Sequence, residues 1–359
     1  MIFILFIFIL LAYLNFSKGQ RVKPFIILVC SVLFLLSGFR HEAVGSDTYG
    51  TMMMFERCAA KQWGDIMGNF ITNYLTPSEL GKDPGEEVFY KLISYIIPNS
   101  RLFLFVIAGV TISSFGYFFY RNCNSMKEVM FSFFFYLTFF YQYLPNSSAR
   151  QSLAVSVILL AYLFLKDQKY AYFVLLVLLA STFHKSSLIC LVQIPFMFLK
   201  NIKRVYRLSV AAFVFVLFYY KEVGLFLGGG SDIYSSYAES SYYMYSSKPY
   251  MVVLLMAAFY ALGFLGINRD PDVKSNNLMY IGSIFTFVLT PMIWFNPTLL
   301  RIIAYFGPWM AISVVRSTRQ LPTGQGSLLF KCIIIAFLIK GLLSPEEYAF
   351  MWQEMKMIE

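Results

Sequence analysis

Residues 101–120 read RLFLFVIAGVTISSFGYFFY, and this stretch decides the fold class. After Arg101 the run carries no charge and no proline until Arg121 closes it. Apolar side chains fall on every side rather than along one stripe, so neither a half-buried strand nor an amphipathic surface helix fits. At a helical rise of about 1.5 Å per residue the run spans roughly 30 Å, the thickness of a bilayer's hydrocarbon core. Inside hydrocarbon the backbone must satisfy its own hydrogen bonds, which a helix does within one segment. The stretch is therefore predicted to cross a membrane.

Runs of the same kind recur outward from it in both directions. They are Ile2–Asn15, Pro24–Gly38, Arg101–Tyr120, Val129–Leu144, Gln151–Leu165, Tyr170–Phe183, Ser186–Leu199, Leu208–Phe226, Met251–Ile267, Asn277–Phe295, Leu299–Val315 and Leu328–Leu343. About twelve spans are expected, or ten to eleven if short runs such as Tyr170–Phe183 and Ser186–Leu199 are re-entrant. Composition agrees: of 359 residues 58% are hydrophobic and 13% charged, with a mean hydropathy of +0.64. Soluble domains carry about 25% charge. A soluble enzyme, a disordered chain and a nucleic-acid binder are excluded together. The expectation is an all-α polytopic membrane protein, one transmembrane domain over residues 1–359.

The net charge of +10 is resolved by placing it. Basic residues concentrate in cytoplasmic loops, and this bias orients the chain. With Lys18, Arg21 and Lys23 inside, alternation places Arg121/Lys127, Lys166/Lys169, Lys200/Lys203/Arg204/Arg207, Arg269/Lys274 and Arg316/Arg319/Lys331 inside as well. That set holds 16 basic residues against Glu128, Asp167, Asp270 and Asp272, a net of +12, and the remaining charges net −2. The first apolar run has no basic residue before it, so it does not read as a secretory signal. A bacterial inner membrane is expected, with both termini periplasmic. Cys30, Cys190 and Cys332 fall in spans and Cys123 in an inner loop, leaving Cys58 alone outside with no disulfide framework.

Two outer segments stand apart. Residues 40–100 are mixed in polarity, and Asp47–Asn73 reads as one or two helices in the membrane interface, with Met52–Phe55, Trp63, Met67, Phe70 and Ile71 on the apolar side. Residues 228–248 open on Gly228-Gly229-Gly230 and interleave serines with Tyr234, Tyr237, Tyr242, Tyr243 and Tyr245. Tyrosine there suits either a sugar or glycolipid surface or an interfacial aromatic belt. No internal repeat pairs the two halves as an inverted-repeat transporter would. The cytoplasmic loops are too short for a nucleotide-binding domain and carry no Gly-rich phosphate loop. Any chemistry must use an activated substrate held in the membrane or outside it.

Charges at span mouths are costly and mark candidate chemistry. Arg150 opens one span after Pro145-Asn146-Ser147-Ser148-Ala149, and Arg301 lies near the outer end of another. Arginine's planar fork fits phosphate oxygens two at a time, so both suit a lipid diphosphate, while snorkelling or pairing with an outer carboxylate competes. His184 ends a span on the outside and can accept a proton from a sugar hydroxyl, with Lys185 beside it favouring the neutral imidazole. His41 is the other histidine and the weaker candidate. Asp47, Glu86 and Glu87 are the outer carboxylates placed to act as a base or hold a cation, with helix capping as the competing explanation. No metal-ligand spacing is present, and no cofactor is expected.

These residues also carry a family resemblance. Phe39-Arg40 followed by Val44-Gly45-Ser46-Asp47-Thr48-Tyr49 and Phe55-Glu56 resembles the opening signature of EpsG-like, Wzy-type polysaccharide polymerases. Glu86-Glu87-Val88-Phe89-Tyr90 occupies the place of that family's Glu-containing segment. Ser148-Ala149-Arg150-Gln151-Ser152-Leu153-Ala154 resembles its Arg-Gln-x-Leu-Ala element, and Ala180-Ser181-Thr182-Phe183-His184-Lys185-Ser186-Ser187 its Ala-x-x-Phe-His-x-Ser element. Order and spacing agree over residues 39–190; beyond residue 200 only the pattern of spans and Arg301 match.

The resemblance implies a GT-C-type glycosyltransferase fold. It implies an O-antigen or exopolysaccharide polymerase that joins undecaprenyl-diphosphate-linked repeat units on the periplasmic face. By position, Arg150 and Arg301 would neutralise the leaving diphosphate and His184 would orient or deprotonate the acceptor hydroxyl. Arg40, Asp47, Tyr49, Glu86 and Glu87 would shape the acceptor side. The partners implied are the lipid-linked donor and acceptor and the membrane lipid, with a chain-length co-polymerase left open and no nucleic acid. An O-antigen ligase would carry its histidine in a late outer loop, and residues 228–248 hold none. A glycolipid flippase would want charges through the bundle centre rather than at its outer ends. An acyltransferase fits less well.

Overall fold

A computed structural model of the chain describes residues 21–68, 70–75, 83–227, 250–295, 299–321, 324–326, 328–329, 331–333, 335 and 348–354. The expected span Ile2–Asn15, the Tyr/Ser segment 228–248 and most of Leu328–Leu343 lie outside the described residues. Those described are helices and turns, with one isolated antiparallel bridge between Arg40 and Phe350. They belong to two compact units, Met1–Leu191 with Ile334–Glu359, and Val192–Ile333.

The first unit contains α1 (Val22–Gly38), the short helices α2 (Thr48–Ala60), α3 (Trp63–Gly68), α4 (Phe70–Leu75) and α5 (Pro84–Ser94), then α6 (Ser100–Asn122), α7 (Met126–Tyr136), α8 (Ala149–Lys166) and α9 (Tyr170–Phe183). The stretch 101–120 is helical throughout, as its composition requires. Its start is fixed by Asn99, whose side chain accepts from the Arg101 amide at 2.7 Å. α7 starts on a side-chain cap: Ser125 accepts from the Glu128 amide, while the Glu128 carboxylate accepts from the Asn124 amide just before it. The expected span Val129–Leu144 is α-helical only to Tyr136. It widens to a π turn over Leu137–Tyr141, within which the Tyr141 hydroxyl donates to the Leu33 carbonyl of α1 at 2.9 Å.

α1 packs along α6, α6 along α8, and α8 along α9. The short helices of residues 48–94 are not appended to this bundle but seated on it, α2 against α5 and α6, and α5 against α9. Phe55 of α2 stacks on Phe103 of α6 with ring centroids 4.3 Å apart, and Tyr90 of α5 meets Phe103 edge-on at 4.7 Å. Such pairs add about 0.5–1.5 kcal/mol each beyond the area they bury. Ala149 and Leu153 of α8 complete the cluster, with Phe183 packed against it. The expected helical stretch Asp47–Asn73 forms three helices. Met52 and Phe55 turn inward, while Met67 and Ile71 stay exposed.

The second unit contains α10 (Gln193–Met197), α11 (Ile202–Phe218), α12 (Tyr220–Leu227), α13 (Tyr250–Ile267), α14 (Asn277–Leu289), which tightens to a 3-10 turn over Thr290–Trp294, and α15 (Leu300–Arg319). The expected run Leu208–Phe226 breaks at Tyr219, whose backbone leaves the helical region. The core is a column of rings in which Tyr206 stacks on Tyr260 at 4.2 Å and Tyr260 on Phe287 at 3.9 Å. Asp270 is buried, yet it accepts from the Tyr280 hydroxyl at 2.8 Å and the Asn276 amide group at 2.9 Å, so its charge organises a turn.

Among the described residues four helical stretches are long and apolar enough to cross a membrane: Ser100–Asn122, Ala149–Lys166, Tyr250–Ile267 and Asn277–Trp294. Val22–Gly38, Tyr170–Phe183 and Lys185–Met197 are apolar but shorter. The chain is an all-α membrane protein, and its described residues do not establish a count of twelve spans.

Candidate functional site

The first unit draws together four stretches that lie far apart in sequence. Gly45 stands at φ +87°, and a Cβ there would also run into the Asn146 carbonyl, so only glycine fits. Three residues on, the Thr48 hydroxyl lies 2.6 Å from that carbonyl. Ser37 donates to the Asn146 side-chain oxygen, also at 2.6 Å. The segment 39–49 is thereby locked to the turn that launches α8 and Arg150.

Arg40 sits inside this knot. It is 3% exposed, its Nη1 donates to the Ser37 carbonyl at 2.5 Å, and its Nε donates to the Thr48 hydroxyl at 3.3 Å. No described carboxylate forms an ion pair with it. Burial lowers its pKa to about 10, which leaves it charged at neutral pH. Residues 348–354 pair with the same segment: His41 donates to Ala349 at 2.8 Å, Met351 to Phe39 at 2.9 Å, and the Tyr348 hydroxyl to Leu36.

Arg150, in the first turn of α8, reaches α5. Its Nη1 donates to Asp83 Oδ2 at 2.7 Å, and its Nε lies 3.5 Å from Glu86 Oε2. The two carboxylates are deep, with 8% and 11% of their side chains exposed, while the Arg150 side chain is 35% exposed. The arginine is the outward member of the group. Burial pushes Glu86 up to about 7, against the opposing pulls of Arg150 and of the Tyr90 hydroxyl; Asp83 and Glu87 push it further up. Tyr90 itself is fully buried. Its hydroxyl finds no hydrogen-bond partner in strict geometry, and burial with the adjacent Glu86 holds it well above the ordinary tyrosine range.

The fourth stretch also closes on α5. A Cβ at Gly85 would strike Thr182 near the end of α9, so glycine permits the close approach of the two helices. Two residues later His184 caps α9, its amide bonded to the Ala180 carbonyl at 3.0 Å. Its Nδ1 lies 2.7 Å from Ser186 Oγ. If Nδ1 donates to Ser186, Nε2 is left as a proton acceptor, which is what a base needs. Lys185 lies over the Tyr74 ring at 5.5 Å and within electrostatic reach of Asp83.

A family model described as the EpsG family matches residues 23–343. The chain belongs to the EpsG family. These are the Wzy-type O-antigen and exopolysaccharide polymerases, so a polysaccharide-polymerase role follows at the level of the family. No curated protein and no solved structure matches the chain.

The remaining residues singled out from sequence are distributed through this EpsG-family chain. Asp47 is the exposed N-cap residue of α2, without a side-chain capping bond, and Tyr49 is exposed two residues on; both flank the Thr48–Asn146 contact. Glu87 pairs with Lys61 of the outer segment at 2.9 Å. Arg301 lies in the first turn of α15 in the second unit, half-buried. Among the described residues no three His, Cys, Asp or Glu side chains group as a metal site. The Cys58 thiol is pushed up to about 12, chiefly by burial, which makes it inert.

Asp83 and Tyr90 are the members of the cluster that the sequence did not single out as site residues. Asp83-Pro84-Gly85-Glu86 does carry a signal. Asp at the N-cap, Pro at N1 and Glu at N3 form a helix-start signature, and that spacing puts both acids on one side of the first turn. Here Asp83 makes no side-chain cap, its carboxylate going to Arg150 instead.

Proposed function

We propose that the protein is a periplasmic-face polysaccharide polymerase of the GT-C type. In this reading it transfers a growing chain from undecaprenyl diphosphate to the non-reducing-end sugar of a new lipid-linked repeat unit. The observation that carries the reading is the outward fork of Arg150, set at the mouth of a candidate spanning helix and bordered by the four stretches that resemble the polymerase family. The chemistry breaks the anomeric carbon–oxygen bond to the diphosphate and forms one to the acceptor oxygen.

Charge builds on the departing diphosphate, and fixed cationic donors aimed at it are expected to contribute the largest catalytic term. Arg150 supplies such donors, and Arg301, in its own unit, is a second phosphate-binding candidate. His184, oriented by Ser186, takes the acceptor proton or holds the hydroxyl in line. Asp47 and Tyr49 offer exposed polar groups to the acceptor sugars, while Arg40 shapes that side from within by holding the segment that presents them. Glu86 and Glu87 set the charge around Arg150 and Lys61. The short inner loops and the absence of a phosphate-loop motif in the sequence fit a donor already activated on a lipid. The setting is an inner membrane with both termini outside.

Expression in a strain lacking its own polymerase tests the reading. The wild type restores the ladder of long chains. Arg150→Ala and His184→Ala accumulate to normal levels yet leave single repeat units on the core. A normal ladder from both variants overturns the site assignment, and lipid-linked units trapped on the inner leaflet identify a flippase instead.

A further inference from the structure

The Arg150 cluster is arranged for more than holding an anion. Its fork is engaged by carboxylates, Asp83 at 2.7 Å and Glu86 at 3.5 Å. Both lie deeper than the guanidinium, so a diphosphate arriving from outside meets Arg150 first and two buried negative charges immediately behind it. With Asp83 and Glu86 ionised and Arg150 positive, the trio carries a net negative charge, which repels the anion it is meant to bind.

The surroundings offer one way to relieve this. The groups that face Glu86 are Asp83, Glu87 and Tyr90 from α5, Arg150 from α8, and Cys58 from α2. Lys61 reaches Glu87 rather than Glu86, and Lys185 acts on Asp83. No second cation contacts the Glu86 carboxylate among the described residues. The buried Tyr90 hydroxyl beside Glu86 pulls toward the carboxylate, but burial outweighs it, and the hydroxyl oxygen can accept from the carboxyl once it is protonated.

Resting on the reading of Arg150 as the diphosphate contact, we propose that a lipid diphosphate displaces Asp83 from the Arg150 fork and that binding is coupled to uptake of one solvent proton by the Glu86 carboxylate. The proton neutralises the carboxylate that stays behind Arg150, and Asp83 turns toward Lys185. On departure of the diphosphate, Asp83 returns to Arg150 and Glu86 gives up its proton. Asp83 and Glu86 are thus positioning residues that set when the arginine is available. The coupling is reciprocal: acid favours diphosphate binding, and diphosphate binding favours protonation. Burial brings Glu86 near neutrality, so the response falls in the range where the protein works.

The test is binding of a short-chain prenyl diphospho-sugar to the purified full-length protein at pH 6 and pH 8. The diphosphate diester does not itself titrate in this interval. The wild type is expected to bind roughly fivefold to tenfold more tightly at pH 6 than at pH 8, within the usual range of coupling between sites. Glu86→Gln is expected to bind equally at both values, near the wild-type level at pH 6. Asp83→Asn is expected to bind more tightly than the wild type at both values and to retain the pH response. An unchanged pH response in Glu86→Gln, or weaker binding by a folded Asp83→Asn, overturns the proposal while leaving Arg150 as the contact. Wild-type binding that Arg150→Ala retains in full overturns the site reading itself. A wild type that binds the probe at neither pH overturns both.

Discussion

Arg150 and Arg40 look alike in sequence: each is an arginine on the outer side of an apolar run, within a motif of the same family. The structure treats them in opposite ways. Arg150 shows about a third of its side chain to solvent and rests on two buried carboxylates. Arg40 is 3% exposed, forms no ion pair with a described carboxylate, and bonds to neutral oxygens of Ser37 and Thr48. A guanidinium can act on a ligand only where the ligand can reach it, and can fasten a fold only where it is enclosed. The contrast supports the proposed recognition role for the first and shows anchorage for the second: Arg40 bonds to Ser37 of α1 and Thr48 of α2, which both hold the Asn146 turn that leads to Arg150.

The largest effect expected from breaking this contrast is at Arg150. Arg150→Ala should lower polymerisation on the order of 100-fold or more while the protein accumulates normally. Arg150→Lys should recover little, because a point charge on a flexible stem cannot replace a planar fork. Quantified chain-length ladders at matched protein levels check both. Arg40→Ala should behave in reverse, costing stability of about 2–3 kcal/mol through lost hydrogen bonds and an unfilled space. A lowered melting temperature in detergent is its readout, and a fully stable, inactive Arg40→Ala would erase the distinction.

A smaller effect is expected at the seam between α5 and α9. Gly85→Ala places a methyl group against Thr182 and should cost about 1–3 kcal/mol of overpacking, seen as a lower melting temperature together with reduced chain length. The next prediction concerns pH. Glu86 holds its proton to about 7 in the folded protein, above its ordinary 4.5, so between these values the folded state binds more protons than the unfolded state. Stability contributed by this group is present below pH 4.5 and is lost as pH rises toward 7. Glu86→Gln should flatten the melting-temperature profile over that window and leave its slope unchanged above it. Tyr90→Phe removes a hydroxyl that lacks a strict partner and should alter stability by less than about 1 kcal/mol.

Much of this arrangement was legible in the chain. The run 101–120 announced a spanning helix, and Arg150, His184 and Glu86 stood out because each is an ionisable group at the outer edge of an apolar or outer helix. What escaped reading was pairing across distance. Asp83 and Arg150 are 67 residues apart, and no local pattern joins them. Arg40 is enclosed partly because residues 348–354 pair with Phe39–His41, a contact between opposite ends of the chain. Helix breaks were also hidden, since Leu137–Tyr141 and Tyr219 are as apolar or aromatic as the helices they interrupt and no proline or glycine marks them. Hydropathy reports what a segment can be buried in, while the π turn and the break at Tyr219 are set by what packs against them.

The most direct measurement is polymerisation by the purified protein in proteoliposomes supplied only with lipid-diphosphate-linked repeat units. The account predicts that the wild type lengthens the chains and releases lipid diphosphate without any nucleotide sugar, and that Arg150→Ala, equally folded, does neither. Elongation that depends on an added nucleotide sugar, or that Arg150→Ala performs at the wild-type rate, would contradict it.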